Sequence, residues 1–340
     1  MPCRTFTNLC WLAVLTIFLW SRLLPAQEKV RVGLSSVSAT NGSVWVAEEK
    51  GLFKKYGVDT EVIIIGGGGA RVVSSLIAGE IHFSVGGGDG SLRAQMKGAD
   101  VVIVASTLTK GLQRWMTRPN IKSWQELKGT KVAITRFGSA GHLVLQLMLK
   151  RWHLGPSDVS ILQLGSSPAM LASLDKGGTD GAILTMPTFF LAEDRGYRVV
   201  GDPVNMDIFY LQNTLESSRA YLRKNRDQAL RFLKGYIEGI AYFKKNKRES
   251  LEILRKKLRI QSEQERDVRY LELSYNLLAT SYYNEVPYAS LKGIETVLEF
   301  ISAEEPKAKG ADPKSFADDS LVREIDASGF FKTLYEGKYR

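Results

Sequence analysis

Between Lys29 and Gly201 the chain alternates short apolar runs with stretches of helical periodicity. The apolar runs are rich in β-branched residues, which is typical of buried strands in a parallel sheet. Glycine follows several helical stretches, as at Gly79 and Gly98, and glycine readily adopts the left-handed conformation that ends a helix. The pattern predicts an α/β fold. The predicted strands are Val30–Leu34, Val58–Ile65, Ile81–Val85, Val101–Ala105, Val132–Thr135, Ser160–Leu164, Gly181–Leu184 and Tyr197–Val200.

After about Leu215 the apolar positions follow the period of amphipathic helices. Capping boxes are predicted from Ser123 to Glu126 and from Ser262 to Glu265. The sequence therefore predicts a helical C-terminal part after an α/β region. The predicted helices of this part are Arg226–Asn246, Lys247–Leu258, Ser262–Leu278, Leu291–Ser302 and Leu321–Asp326.

Residues 1–26 have the layout of a secretory signal peptide. One positive charge at Arg4 precedes an apolar stretch from Leu9 to Trp20, and the small residue Ala26 lies where a signal peptidase would cut. The apolar stretch is shorter than the roughly 20 residues that span a bilayer, although an uncleaved anchor stays open as the alternative. Both cysteines, Cys3 and Cys10, lie in this segment, so the exported chain is predicted to have no disulfide and no thiolate site.

The remaining 27–340 segment is long enough for two lobes. The formal charge of +10 favours acidic partners in general but identifies none. Neither a nucleic-acid-binding module nor a basic stripe with interleaved aromatics is found, so nucleic-acid binding is not expected. Fourteen Lys and Arg against four Asp and Glu between Arg219 and Arg259 indicate either a solvated helical face or a docking face for a membrane partner.

Three glycine-rich loops, at 66–69, 86–90 and 136–141, each follow a predicted strand and precede a helix. Open α/β sheets bind ligands at this end of their strands. Glycine lets a ligand approach the backbone, and the free N–H groups of a helix start favour an acidic group. The alternative is that these glycines serve tight turns alone. The loops match neither the P-loop nor the dinucleotide fingerprint. The candidate ligand-binding residues here are Gly67, Gly68, Gly88, Asp89, Gly90, Arg136, Ser139, Ala140 and Gly141.

Three side chains in these loops bear on the charge of the ligand. Arg136 is the candidate counter-charge for an acidic ligand, with a plain surface position as the alternative. Ser139 either donates its hydroxyl to a ligand or caps the helix that follows. Asp89 would repel an acid and could pair with an amine or an aminopyrimidine, or it caps its own helix. The loops therefore favour an anion without excluding an amine.

Several longer stretches resemble one protein family. Residues 43–58 read SVWVAEEKGLFKKYGV, which resembles the "wvA…kGlFkkyGldve" signature of the SsuA/THI5-like (NMT1-type) periplasmic binding proteins. Further matches are LIAGEIHF at 76–83, SWQELKGTKVA at 123–133 and LDKGGTDGA at 174–182. The family comprises solute receptors of ABC transporters of the nitrate/sulfonate/taurine type. The resemblance covers about residues 30–201 well and the C-terminal third only loosely.

The resemblance implies a two-lobed type II periplasmic binding protein fold with a helical C-terminal part. It implies that residues 27–112 together with 207–340 form lobe 1 and that residues 113–206 form lobe 2. It also adds Asn41, Ser43, Trp45 and Thr185 to the candidate ligand-binding residues. Trp45 would stack on a ligand or, as is common for tryptophan at helical spacing, belong to the core.

These features together predict a periplasmic, monomeric solute-binding protein that closes by a hinge on a small molecule. The expected partner is an ABC permease in the inner membrane. The expected ligand is a small organic sulfonate or carboxylate, ahead of a pyrimidine or amine-bearing compound and of nitrate. No cofactor, metal or catalytic residue is predicted.

The main rival is a THI5-like protein that binds or makes a pyrimidine precursor. The enzymatic branch relies on histidine and a cysteine-rich motif, as the family is understood. Beyond residue 26 this sequence has no cysteine, and its histidines are His82, His142 and His153. They give no metal-ligand or Ser/His/Asp spacing, so binding is favoured over catalysis. A sensory or scaffold module with the same fold is the second rival.

Overall fold

Two five-stranded sheets with helices packed against them form the framework of the protein. The computed structural model describes residues 29–261 and 264–339. The predicted signal peptide at residues 1–26 lies outside the described residues, and so does Ser262, where the second predicted capping box begins. In the described part the strands are β1 Val30–Leu34, β2 Thr60–Ile64, β3 Phe83–Gly86, β4 Val102–Lys110, β5 Arg114–Thr117, β6 Lys131–Ile134, β7 Ser160–Gln163, β8 Gly181–Leu184, β9 Arg198–Gly201 and β10 Phe209–Ser217.

The first sheet has the strand order β2-β1-β3-β10-β4. Strand β1 pairs in parallel with β2 and β3, so that Val32 lies opposite both Val62 and Phe83. Strand β10 runs antiparallel between β3 and β4, with Thr214 opposite Gly86 and Ser106. A late strand of the chain therefore completes a sheet that the first 110 residues begin.

The second sheet has the strand order β7-β6-β8-β5-β9. Strand β6 pairs in parallel with β7 and β8, whereas β5 runs antiparallel to β8 and β9. All eight predicted strands are present, and the two-lobed α/β fold class is confirmed. The expectation of purely parallel sheets was wrong, because β5 and β10 were not predicted.

Strand β10 escaped prediction because several of its buried residues are polar. Asn213, Thr214 and Glu216 are all buried, although strands are usually recognised by apolar residues. Neighbouring polar groups satisfy them: the Thr107 hydroxyl donates to Asn213 Oδ1 at 3.0 Å, and the Thr214 hydroxyl donates to the Gly86 carbonyl at 3.1 Å. Hydrogen bonds to neighbouring strands thus permit a polar strand in the middle of the first sheet.

Helices from both the N-terminal and the C-terminal part of the chain pack on the first sheet. None of the helices in residues 29–261 and 264–339 combines the length and apolar character that a membrane span requires. In chain order the α-helices of both lobes, within the described residues, are α1 Gly42–Glu49, α2 Leu52–Lys55, α3 Gly69–Ile77, α4 Asp89–Met96, α5 Ala140–Arg151, α6 Ser167–Asp175, α7 Thr188–Asp194, α8 Arg219–Lys224, α9 Arg226–Lys245, α10 Lys247–Lys257, α11 Glu265–Leu277, α12 Leu291–Ile301, α13 Ser320–Ala327 and α14 Phe330–Lys332.

The core of the first lobe lies between its sheet and helix α9. Phe232 of α9 stacks on Phe53 and on Phe83, with ring centroids 5.0 and 4.2 Å apart. Helix α9 approaches α1 so closely that a Cβ added to Gly239 would lie 2.5 Å from the Ser43 carbonyl oxygen. Because this contact covers α1, its residues Ser43 and Trp45 are buried in the protein.

The chain passes between the two sheets twice. Residues 111–113 connect β4 to β5, and residues 202–208 connect β9 to β10. Arg114 anchors the second passage, since its Nε donates to Asp202 Oδ2 at 2.8 Å. Tyr282, from the helical C-terminal part, donates its hydroxyl to the Gly111 carbonyl at 3.1 Å. Both passages are thus held by side chains from elsewhere in the chain.

Two expectations about local sequence have clear outcomes. The capping box predicted at Ser123 was wrong: the Ser123 side chain makes no cap hydrogen bond, and the Glu126 carboxylate accepts from the Lys122 N–H at 2.8 Å instead. The helix there is one turn of 3-10 type, Trp124–Leu127, too short to need a full cap. In the basic segment, cations form ion pairs on the helix surface, as in Lys257–Glu48 at 2.5 Å.

Candidate functional site

A cavity of about 850 Å³ opens between the two sheets, at the carboxyl ends of β1, β3, β6 and β8. The loops that follow these strands and β2 form most of its wall, together with Leu112 and Gln113 of the first passage, strand β10 and helix α11. Its volume lies within the roughly 300–1,000 Å³ of small-molecule sites. The loops at the ends of separate strands therefore converge on one space, as the arrangement of open α/β sheets predicts.

Seven of the predicted ligand-binding residues line this cavity. They come from both sheets, since three belong to loops of the first sheet and four to loops of the second. Neighbouring glycines in the same loops, which the sequence did not single out, line it as well, as at Gly69 and Gly87. The seven residues are Gly67, Gly68, Asp89, Arg136, Ser139, Ala140 and Thr185.

Six other predicted residues do not line the cavity in the described part of the chain. Trp45 is 1% exposed and belongs to the core under α9, so burial replaces the stacking role expected for it. Asn41 is also buried, and its side-chain Nδ2 donates to the Ser36 carbonyl at 2.8 Å. Trp45 and Asn41 therefore order the backbone behind the cavity wall. The six residues are Asn41, Ser43, Trp45, Gly88, Gly90 and Gly141.

The first two glycine loops pack directly against each other. A Cβ added to Gly69 would lie 2.3 Å from the Gly87 carbonyl oxygen, and one added to Gly90 would lie 2.6 Å from the Ala70 nitrogen. Real Cβ atoms do not approach backbone atoms so closely, because the packing of protein interiors leaves no such space. Glycine at 69 and 90 is therefore required by backbone contact.

Asp89 makes the second loop chemically different from the others. It is the first residue of α4 and lines the cavity. Burial raises the pKa of its carboxyl, while the backbone N–H groups of Asp89 and Gly90 and the charges of Arg93 and Arg136 oppose that rise. The backbone N–H groups and the two arginine charges therefore favour the ionised carboxyl, whereas burial disfavours it. An acidic ligand would be repelled there.

Helices α3 and α5 present their first turns to the cavity without an acidic residue. At the start of α5, Ser139 accepts a hydrogen bond from the His142 N–H at 3.3 Å and so caps the helix. The Gly138 N–H donates to His142 Nδ1 at 3.1 Å, and burial lowers the pKa of this imidazole. A neutral His142 therefore orders the loop, and Arg136 extends from it without a carboxylate partner among the described residues.

Helix α11 closes one side of the cavity, a contribution that the sequence did not reveal. Leu271 packs in the core of the first lobe, while Arg269 reaches Asp194 of α7 on the second lobe through two hydrogen bonds of 2.7 and 3.1 Å. Tyr270 lines the cavity and donates its hydroxyl to the same carboxylate at 2.7 Å. A helix with an ordinary amphipathic pattern thus bridges both lobes beside the site.

Polar side chains on the first passage between the sheets and on strand β10 were also missed. Gln113 lines the cavity and is only 6% exposed, yet its Oε1 has no hydrogen-bond partner within the described residues. Gln212 lines the cavity from β10 and accepts a hydrogen bond from the Leu112 N–H at 3.3 Å. Isolated glutamines carry no sequence signal for a site. The folded chain brings Gln113, on the first passage, and Gln212, on strand β10, to the same cavity.

The described residues of the cavity wall contain few ionisable side chains. Among the described lining residues there is no histidine or cysteine, and the acidic residues are Asp89 and Asp267. No group of three or more His, Cys, Asp or Glu in residues 29–261 and 264–339 is arranged to hold a metal ion. The wall offers backbone N–H groups, hydroxyls, amides and one guanidinium, which are the groups that orient a polar solute.

A model of the NMT1/THI5-like family matches residues 40–250, which include most of the cavity wall. The chain belongs to the NMT1/THI5-like family. Among the relatives of this chain is YtlA of Bacillus subtilis, which carries the name of a binding protein and is 27% identical over 218 residues. The alignment covers 62% of this chain and 65% of YtlA, so the matched part is less than two thirds of that relative's length.

Solved structures show how the NMT1/THI5-like chain folds. The periplasmic aliphatic sulphonate binding protein SsuA of Escherichia coli superposes with a TM-score of 0.71 over 86% of this chain and 92% of SsuA, at 21% identity. A mutant of DszB, solved in complex with biphenyl-2-sulfinic acid, superposes with a TM-score of 0.63 over 89% of this chain and 99% of DszB, at 11% identity. At such identities these likenesses establish the two-lobed fold and nothing about the ligand.

Proposed function

We propose that this protein is the extracytoplasmic solute-binding component of an ABC-type importer and that it captures a small organic anion, a sulfonate or a carboxylate. The observation that supports the proposal most strongly is the convergence of loops from both sheets on one cavity, where the Arg136 guanidinium forms no ion pair with any residue that the structure describes. The name of YtlA and the fold shared with SsuA agree with this function.

In this proposal residues 27–112 with 207–340 act as lobe 1, residues 113–206 act as lobe 2, and residues 1–26 direct export. The passages at 111–113 and 202–208 act as the hinge. A solute that contacts Gly68 on one lobe and Arg136 on the other stabilises the closed arrangement, because only that arrangement makes both contacts. The closed protein then delivers the solute to a permease in the inner membrane.

The proposed anion site consists of Arg136 and the first turns of α3 and α5. Free N–H groups at a helix start and the helix dipole favour a negative group by about 0.3–1 kcal/mol. A hydrogen bond to a charged group contributes roughly 1.5–3 kcal/mol. The three contacts together approach the roughly 8 kcal/mol of a micromolar complex, less the free energy needed to order the solute and close the lobes.

The test is calorimetric titration of the purified full-length chain with propanesulfonate, butanoate and nitrate. Arg136→Ala should weaken binding of the preferred anion by about 10- to 100-fold, the range for losing one charge-assisted hydrogen bond. Arg151→Ala, which removes the same charge from the far end of helix α5, is the matched control and should change affinity less than about threefold. Equal effects of the two variants would contradict a direct contact with Arg136.

Catalysis is tested in the same samples. Recovery of the bound solute after prolonged incubation should return the original compound, as measured by mass spectrometry. Conversion of many solute molecules by each protein molecule would contradict capture and indicate an enzymatic function.

A further inference from the structure

Helix α11 has two apolar stripes that face different lobes. Leu271 and Tyr275 pack in the core of the first lobe, and the Tyr275 hydroxyl donates to the Phe243 carbonyl of α9 at 2.7 Å. Tyr270 belongs to the core of the second lobe, and Leu273 packs against that core. Residues three or four positions apart share a helix face, so each pair forms its own stripe. One helix is therefore part of the packing of both lobes.

An ion pair between Arg269 and Asp194 completes the junction of α11 with the second lobe. Asp194 is the last residue of α7, where the helix dipole disfavours a carboxylate. Hydrogen bonds from Arg269 and from the Tyr270 hydroxyl lower the pKa of Asp194, so its carboxyl is ionised at neutral pH. In the described part of the chain neither Arg269 nor Asp194 lines the cavity. The ion pair thus joins the lobes from outside the cavity.

When the lobes separate, α11 has to leave one of them. Leu271 and Tyr275 are buried against the first lobe, and so is Leu278 directly after the helix. The ion pair to the second lobe is more accessible, since the side chains of Arg269 and Asp194 are 56% and 33% exposed. Exposed polar contacts cost less to break than the burial of several large side chains. We therefore expect α11 to move with the first lobe and the junction at Asp194 to break on opening.

Helix α7 connects this junction to the cavity and to the hinge. Residues 185–187, directly before α7, line the cavity. Glu193, next to Asp194, accepts a hydrogen bond from Arg114 at 2.9 Å, and Arg114 also donates to Asp202 of the second passage at 2.8 Å. The helix thus extends from the cavity wall to the hinge and the ion pair. Movement of α7 on opening affects all three.

We propose that Arg269, Asp194 and the Tyr270 hydroxyl form a latch that keeps part of the protein closed without solute and slows release of the solute. The inference goes beyond the proposed function and rests on its hinge motion, not on the chemistry of the solute. The latch stabilises the closed arrangement whether or not the cavity is filled, so its loss increases the open fraction. Entry is not slowed by that loss, because a solute enters the open arrangement.

Pulsed electron paramagnetic resonance tests the latch in the absence of solute. Nitroxide labels are attached to the full chain at Lys97→Cys and Lys176→Cys, with Cys3→Ser and Cys10→Ser to keep the labels specific. The labelled positions follow α4 and α6, one helix from each lobe, and both helices begin beside the cavity and end away from it. A chain with the intact latch should show a closed population at the shorter distance.

Two variants remove the latch in different ways. Arg269→Ala should lower the closed-to-open ratio by about two- to fivefold, the value of an exposed ion pair. Asp194→Ala should lower it by about tenfold, because this change also releases the Tyr270 hydroxyl. Arg269→Lys should restore part of the ratio, since lysine keeps the charge but not the two parallel hydrogen bonds. Alanine is a good helix former, so both alanine variants are expected to keep the fold.

Arg266→Ala is the matched control on the same helix. Arg266 is 60% exposed in its side chain and has its Nε 3.7 Å from Oδ1 of Asp267, its neighbour on α11. Removing this charge should change the closed-to-open ratio by less than about 1.5-fold, because exposed charges are screened. The comparison separates the contact at Asp194 from a general loss of positive charge.

Release of bound propanesulfonate, measured by stopped-flow displacement, should be about two- to fivefold faster in Arg269→Ala, with association unchanged or faster. A single long distance in the chain with the intact latch, equal ratios in Arg269→Ala and Arg266→Ala, or an unchanged release rate overturns the inference and leaves the proposed function intact. If the ratio falls as expected but the chain binds neither propanesulfonate nor butanoate, the latch is supported and the proposed anionic solute is refuted.

Discussion

The contact between the two glycine loops of the first lobe gives the most direct test of how the cavity wall is built. Replacing Gly90 by alanine places a Cβ 2.6 Å from Ala70 N and 2.8 Å from both Ala70 Cα and Gly69 C. All three neighbours are backbone atoms, so no side-chain rotation relieves the clash. Overpacking of this kind costs about 1–3 kcal/mol, and with three backbone contacts the upper end applies.

Alanine at this position also brings a gain, because Gly90 lies within helix α4. The helix propensity of alanine exceeds that of glycine by about 1 kcal/mol. The expected net loss for Gly90→Ala is therefore about 2 kcal/mol. Since 1 kcal/mol moves the melting temperature by about 2–4 °C in a protein of this size, we expect Tm to fall by about 4–8 °C.

Differential scanning calorimetry of the full chain measures this effect, and titration with the preferred solute measures its consequence for the site. Gly141→Ala is the matched control: it lies in the first turn of α5, and its added Cβ would meet Ile183 at an ordinary 3.5 Å. That variant should melt at or slightly above the wild-type temperature. Gly90→Ala should also weaken solute binding, by about tenfold if the displaced loop costs 1.4 kcal/mol of binding. A Gly90→Ala protein with unchanged Tm and affinity would refute the close packing of the two loops.

Two buried carboxyls give predictions of opposite sign for the dependence of stability on pH. Burial opposes ionisation of Glu238, but hydrogen bonds from Lys338, Lys55, Tyr56 and Tyr339 outweigh it and lower its pKa to about 2. The ionised Glu238 therefore stabilises the fold fully above the unfolded pKa, and this stabilisation is lost as the pH falls toward 2. Glu238→Gln should lower the free energy of unfolding, measured by urea titration, by about 3–5 kcal/mol at pH 7 and by much less near pH 2. Burial of Glu216, which the Ser84 and Thr214 hydroxyls only partly offset, raises its pKa to about 8. The wild type should therefore lose about 1.4 kcal/mol per unit between pH 5 and pH 8 relative to Glu216→Gln, and parallel stability curves for the two proteins would contradict a buried, protonated Glu216.

The alternation of short apolar runs with helical stretches was sufficient to predict the α/β fold, because burial on both faces of a sheet produces continuous apolar runs that mark a strand locally. Strands such as Val30–Leu34 and Gly181–Leu184 occur where this pattern predicts them. Strand β10 shows the limit of that reasoning. Its Thr214 and Glu216 are buried only because hydroxyls and a carbonyl on neighbouring strands complete their hydrogen bonds, and those partners are distant in sequence.

The residues of the cavity wall likewise include some that the sequence predicted and some that it did not. The glycine loops and Arg136 were predicted because a strand end followed by a helix start is visible in a contiguous stretch of sequence. Gln113 and Tyr270 were not, since one lies on a passage between sheets and the other on a helix more than 150 residues later. Trp45 was assigned to the site through a local motif, but helix α9 covers it in the folded protein.

The amino-acid sequence by itself determined eight of the ten described strands, the glycine loops at the strand ends and membership of the two-lobed fold class, since each depends on residues that are neighbours in the chain. The tertiary structure alone decided which side chains face the cavity, which glycines serve backbone contact and how the charges are balanced there. These properties depend on distances between residues far apart in sequence. Asp89 illustrates both: its position at a helix start is local, but the burial that raises the pKa of its carboxyl follows from how the loops pack together.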